Sequence, residues 1–203
     1  NNEISYAVDF VAKEYSGHPI VLMGHSVGGT LFSLYLAKLI RNNDVARLAS
    51  INALVMITSG SVYHKHFSAS WLMLLLTILF RVLCSILGYY PGKWFGFGGT
   101  EAKSFILDWC YEVWNGKWEP SGCPIPDISK YLKQCNCPVV SVSIDKDSFV
   151  GHSAAARALQ LFPEAQTTHL KLDRKDFETI KALSNQHVHF KWARDVVFEP
   201  LIE

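Results

Sequence analysis

Apolar positions recur along this chain with two different periods. Ile4, Val8, Val11 and Tyr15 fall three or four apart, the spacing of one helix face, and Ser16-Gly17-His18-Pro19 follows as a stop. Ile20 to Met23 is then an unbroken apolar run closed by Gly24, the pattern of a strand buried in a parallel sheet. Thr30 to Ile40 returns to helical spacing. Further short runs at Ala53 to Thr58, Pro138 to Ser143 and Thr168 to Leu172 predict three more strands, with a helix over Ser153 to Leu161. Strands alternating with helices predict an α/β fold, a mostly parallel sheet with helices on both faces.

Residues 61–135 interrupt that alternation and read as an inserted lid or cap, leaving 1–60 and 136–203 as the core. From Phe67 to Gly92 the insertion holds one charge, Arg81. Trp71 to Leu87 is too long for a strand and reaches the lower edge of membrane-spanning length. A spanning helix would bury Arg81 near mid-bilayer at a cost of about 3 kcal/mol. The expectation is therefore a buried lid helix over the site, with an interfacial segment in peripheral contact with lipid as the other reading.

The 203 residues, 49% hydrophobic and 18% charged, suit an ordered domain and exclude a disordered or low-complexity chain. A net charge of +1 gives no field of the kind that holds nucleic acid, so none is expected as a partner. Five cysteines, Cys84, Cys110, Cys123, Cys135 and Cys137, form neither an even disulfide set nor a CxxC zinc pattern. A reducing, cytoplasmic compartment is expected. His64 and His66 make an H-x-H pair with no carboxylate or cysteine beside it, so no metal site is expected.

Candidate chemistry begins at Gly24-His25-Ser26-Val27-Gly28-Gly29, a G-x-S-x-G motif between a predicted strand and a predicted helix. Reversing from strand to helix in so few residues forces Ser26 into a strained backbone, tolerated because Gly24 and Gly28, two residues away on either side, lack a Cβ. Ser26 then sits at a tip facing the helix N-terminus, and the Val27 N–H is placed to donate to a developing oxyanion.

On this motif the chain resembles the α/β-hydrolase superfamily, whose triad runs Ser, acid, His. After the strand Pro138 to Ser143 comes Ile144-Asp145-Lys146-Asp147-Ser148-Phe149-Val150, similar to the family's acid loop. Aligning Phe149-Val150 with its apolar pair implies Asp147 as the acid, with Asp145 the competitor. The order leaves His152, His169, His187 and His189 for the base. His152 follows the acid too closely and His169 lies within a predicted strand. His187 and His189 fall after the last strand and before a helix starting near Lys191; the resemblance puts the base on His187, with Gln186 and His189 standing where small residues are usual.

Gly88-Tyr89-Tyr90-Pro91-Gly92 with Gly96-Phe97-Gly98 and Trp109 resembles the lid of one subgroup of predicted α/β hydrolases. With elbow, acid loop and His segment, the resemblance spans nearly the whole chain. It implies a serine hydrolase without cofactor or metal, acting on a carboxylic ester, of a lipid or other apolar acyl group. His25, beside the nucleophile, and Trp94 and Phe95 of the lid are the expected substrate contacts. The family places several strands and the loop that supplies the second oxyanion N–H before the elbow, so a fragment of a longer protein is expected, with a second polypeptide that completes the sheet as the other reading. The alternative is a non-catalytic module that binds a hydrophobic ligand or partner.

Overall fold

Four of the apolar runs become one sheet. In the computed structural model, which describes residues 2–172 apart from 68, 97, 122–126, 146 and 148, the strands are β1 (Ile20–His25), β2 (Ile51–Ile57), β5 (Val139–Ile144) and β6 (Thr167–Leu172). They stand in the order β1-β2-β5-β6 and every pairing is parallel, with Leu22 opposite Leu54, Leu54 opposite Val139 and Ser141 opposite His169. The chain divides into two compact units, Asn1–Gly60 with Ser129–Glu203, and Ser61–Ile128.

In the first unit, α1 (Asn2–Glu14), α2 (Val27–Arg41), α3 (Val45–Ser50) and α7 (His152–Leu159) connect or flank the strands. α2 presses on the sheet where Ser33 hydrogen-bonds Gly29 O at 2.9 Å and touches Met56 Sδ. α7 does so where His152 meets Ser143, and these two contacts lie on the same sheet face. α3, which the apolar pattern did not announce, is set by polar groups. Asp44 caps it by accepting from Arg47 N at 3.2 Å, and the Arg47 guanidinium bridges back to Asp9 of α1 at 2.7 Å. Those bonds hold both carboxyls below the usual aspartate range. The opposite sheet face carries a cluster around Ile57 and Val142, with Val55, Val140, Ile144 and Leu172 against it. At its β1 end, among the described residues, Val21 and Met23 are 48% and 38% exposed.

In the second unit, α4 (Ser70–Leu87), the short antiparallel strands β3 (Tyr89–Pro91) and β4 (Thr100–Ala102), and α5 (Lys103–Asn115) enclose a core of Phe80, Cys84, Tyr90, Ile106 and Cys110. Gly88 and Gly116 end the two helices in the left-handed conformation, at φ 77° and 67°, where a Cβ would be strained. The Trp114 indole donates to Thr77 Oγ1 at 2.7 Å, so a polar position on α4 is consumed inside the unit. The burial expected of this helix holds on one side only. Met73, Thr77, Phe80 and Cys84 are buried, whereas Trp71, Leu75, Ile78, Val82 and Ile86 form an exposed stripe, with Trp71 at 66% and Ile86 at 75%. The reason is that α5 and β3 flank α4 along one face, and an amphipathic pattern cannot show which apolar residues will lack a partner.

Candidate active site

All parallel strands deliver their carboxyl ends to one edge of the sheet, the edge at which open α/β sheets bind ligands. Ser26 follows β1 there, Thr58 and Ser59 follow β2, and Asp147 follows β5. Ser26 has φ 53° and ψ −124°, a backbone region that a non-glycine residue occupies only when its surroundings enforce it. Two sets of bonds enforce it here. Ser26 N donates to Ile57 O at 2.9 Å, and Ser26 O accepts from Gly29 N at 3.2 Å and from the Ser59 hydroxyl at 2.5 Å. Val27 opens α2, so its N–H belongs to the first turn, where helices leave donors without an internal acceptor. His25 is the last residue of β1, half-buried and paired with Ile57 in the ladder.

Which glycines the elbow needs differs from the symmetric expectation. A Cβ on Gly24 would run into the backbone of Gly28 and Gly29, and one on Gly29 into the Ser59 side chain, but one on Gly28 would meet nothing within 4 Å. Tertiary contact, absent from the motif, selects the positions. Gly24→Ala is therefore expected to destabilise the protein by about 3 kcal/mol, because backbone must move. Gly28→Ala in the first turn of α2 should be neutral or stabilising by up to about 1 kcal/mol. Denaturant unfolding of the two variants checks this, and equal losses would contradict it.

Asp147 sits in a tight turn beyond β5. Its Oδ1 accepts from Phe149 N at 2.8 Å and Val150 N at 2.9 Å, while its own N–H reaches Ile144 O at 3.3 Å. Val150 is buried and packs at Gly60, where any Cβ would collide with it and with Ala154. A continuous path thus joins Ser26 and the Asp147 loop: Ser26 to Ser59 by a hydrogen bond, Ser59 to Gly60 by the chain, Gly60 to Val150 by packing, and Val150 to Asp147 by a hydrogen bond. Asp145 is tied instead to the next strand, its N–H donating to Leu172 O at 2.9 Å. The fold is α/β: a parallel sheet flanked by helices, with a strand-to-helix elbow at Ser26.

The remaining candidates fall outside the described residues or in the second unit. His187 and His189, with the helix expected near Lys191, lie outside the described residues. Trp94 and Phe95 belong to the second unit: Trp94 is exposed, and Phe95 stacks on Tyr90 at 6.0 Å between ring centroids. Ser59 was not foreseen; its only trace in the sequence is a small polar residue just past an apolar run. Ser143 was missed in the same way. Its buried hydroxyl lies 2.6 Å from His152 Nδ1 and 2.7 Å from His169 Nε2, so both rings are held at the same serine. Burial, then the charges of Lys171 and His152, hold His169 below the usual histidine range. A cleft of about 390 Å³ lined by Tyr15, His18, Ile20, Ser50 and Asn52 lies at the opposite ends of the strands, away from this chemistry.

No family model matches the chain, and no curated protein does. Among solved structures it is similar to a monoacylglycerol lipase from Paleococcus ferrophilus (12% identity, TM-score 0.47, 85% of this chain and 65% of that one). It is also similar to an esterase domain from Rhodothermus marinus (15%, 0.47, 84% and 57%) and to an α/β fold family hydrolase from Bacillus anthracis (13%, 0.46, 89% and 70%). The chain thus spans less than two thirds of the length of the first two.

Proposed function

We propose that this chain carries the nucleophile and acid of a cofactor-independent serine hydrolase that cleaves a carboxylic ester, of a lipid or other apolar acyl group, through an acyl-enzyme. The observation that supports it is Ser26, held at φ 53° at the tip of a strand-to-helix turn and linked through Ser59, Gly60 and Val150 to Asp147. In this reading Ser26 Oγ attacks the ester carbonyl while His187 takes its proton, and Val27 N–H donates to the oxyanion. Collapse expels the alcohol, which leaves with the proton from His187. Water then repeats the sequence on the acyl-enzyme, releasing the acid and restoring Ser26, and Asp147 holds the His187 tautomer throughout. The test is labelling by a fluorophosphonate probe together with hydrolysis of p-nitrophenyl esters of graded chain length. Labelling at Ser26 with turnover supports the proposal; intact folding with neither supports a non-catalytic ligand-binding module.

The proposal extends to a peripheral contact with lipid through α4. Among the described residues α4 is the one helix long and apolar enough to cross a membrane, yet one face packs within its own unit. The stripe from Trp71 to Ile86, with Trp94 and the exposed cations Arg81 and Lys93 nearby in sequence, has the composition of a helix lying in a membrane interface. Leu75→Ser with Ile78→Ser is expected to cut the fraction bound to phosphatidylcholine vesicles containing anionic lipid at least about tenfold, since each removes a large apolar side chain. Both side chains are exposed, so folded stability should change by no more than about 0.5 kcal/mol. Unchanged vesicle binding would remove the interfacial role.

A further inference from the structure

The segment between α6 (Ile128–Leu132) and β5 contains a contact that the hydrolase reading does not use. Cys135 and Cys137 face each other with their Sγ atoms 3.4 Å apart, inside hydrogen-bonding distance for sulfur. Side chains two residues apart on an extended chain point the same way but stand about 6.6 Å apart. Here the chain bends at Cys137, and Cys135 N is pulled back onto Leu132 O at 3.0 Å, which brings the two thiols together. Their exposure differs: Cys135 is buried and Cys137 is half-buried. Cα atoms two residues apart lie no more than about 7 Å from each other, and with the side chains already converged a disulfide needs little backbone movement.

We propose that Cys135 and Cys137 form a redox-modifiable dithiol, oxidised by a low-molecular-weight disulfide of the glutathione type to an intrachain Cys135–Cys137 disulfide and reduced again by the corresponding thiol. The thiolate of the accessible Cys137 attacks the small disulfide, forming a mixed disulfide and releasing one small thiol. Cys135 then loses its proton and attacks Cys137 Sγ, the mixed bond breaks, and the second small thiol leaves. Two cysteine thiols have lost two electrons and two protons, and one small disulfide has become two thiols. The contact between the two sulfurs feeds the first step: accepting from Cys137 draws Cys135 below the usual thiol range and raises Cys137, so the once-deprotonated pair shares one proton, and its passage from Cys137 to Cys135 leaves the thiolate on the accessible sulfur. Cys84 and Cys110 provide the contrast within the same chain. Both are buried, and burial pushes Cys84 up and Cys110 up to about 12, so neither is poised to react. A ring closed over a single intervening residue is strained, which makes the disulfide readily reducible rather than a permanent staple.

The test treats the purified protein with a series of oxidised-to-reduced glutathione ratios, alkylates the remaining thiols and maps them by mass spectrometry. Trypsin releases both cysteines on the one peptide Gln134–Lys146. The expected result is that this peptide loses two hydrogens and its alkylation at least about tenfold, reversibly, while Cys84 and Cys110 still alkylate only after unfolding. Cys135→Ser should then trap a persistent glutathione adduct on Cys137, at least about tenfold more abundant than in the parent protein, and Cys137→Ser should leave Cys135 unreacted. If the parent protein instead accumulates the adduct on Cys137 without closing the ring, or links either cysteine to Cys123, or leaves both fully alkylatable at every ratio, the proposal is overturned. Because the parent protein by itself decides the outcome, a poorly folded variant does not blur it.

Discussion

Replacing Ser26 by Ala is expected to remove ester turnover, on the order of 10⁶ in kcat, and to abolish fluorophosphonate labelling while the protein still folds. The magnitude follows from the role proposed for the hydroxyl, whose oxygen is the atom that forms the acyl bond in that mechanism. Folding survives because the bonds that shape the elbow are made by the backbone of Ser26, from its N–H to Ile57 O and from its carbonyl to Gly29 N and Ser59 Oγ, and not by the side chain's role in catalysis. A second substitution separates strain from chemistry. Ser26→Gly lacks the nucleophile but relaxes at φ 53°, so it should be inactive and more stable than the parent by about 1 kcal/mol. Normal turnover by Ser26→Ala would end the hydrolase proposal. A Ser26→Gly protein less stable than its parent would show that the elbow stores no strain.

Asp147→Asn should lower kcat by about 10⁴, whereas Asp145→Asn should change it by less than about threefold. An Asn amide presents a donor where the imidazole needs an acceptor, so it favours the wrong tautomer of the base. The two positions are distinguished by how their loops are tied. Asp147 accepts from Phe149 and Val150 through one oxygen and, through Val150, is packed against the segment that grips Ser26, while Asp145 is pinned by its backbone to Leu172. Fold integrity of Asp147→Asn should hold, since an Asn carbonyl accepts the same two backbone bonds. A reversed ranking, with Asp145→Asn the damaging change, would transfer the acid role to Asp145.

Local pattern carried a large part of this protein. Ile20 to Met23, Ala53 to Thr58 and Pro138 to Ser143 are short apolar runs between turn formers, and each became a parallel strand with its ends displaced by a residue or two. The elbow was legible because its requirement is local: a nucleophile between a strand and a helix must turn within a few bonds, and Gly24 and Gly29 lie in that same stretch. What the sequence could not determine depends on surfaces meeting across the chain. It showed α4 as apolar, but which residues are buried was decided by α5 and β3 flanking one side, while Trp71, Leu75 and Ile86 stay exposed. It showed a motif symmetric about Ser26, but the need for glycine shifted from Gly28 to Gly29 because Ser59 arrives from another strand. Ser59 and Ser143 are anonymous in a one-dimensional reading, since a serine's role depends on what lies within 3 Å of its hydroxyl. Periodicity and turn chemistry act over a few residues and can be read along the chain; burial, hydrogen-bond partners and the approach of two thiols act through space, and only the folded structure sets them.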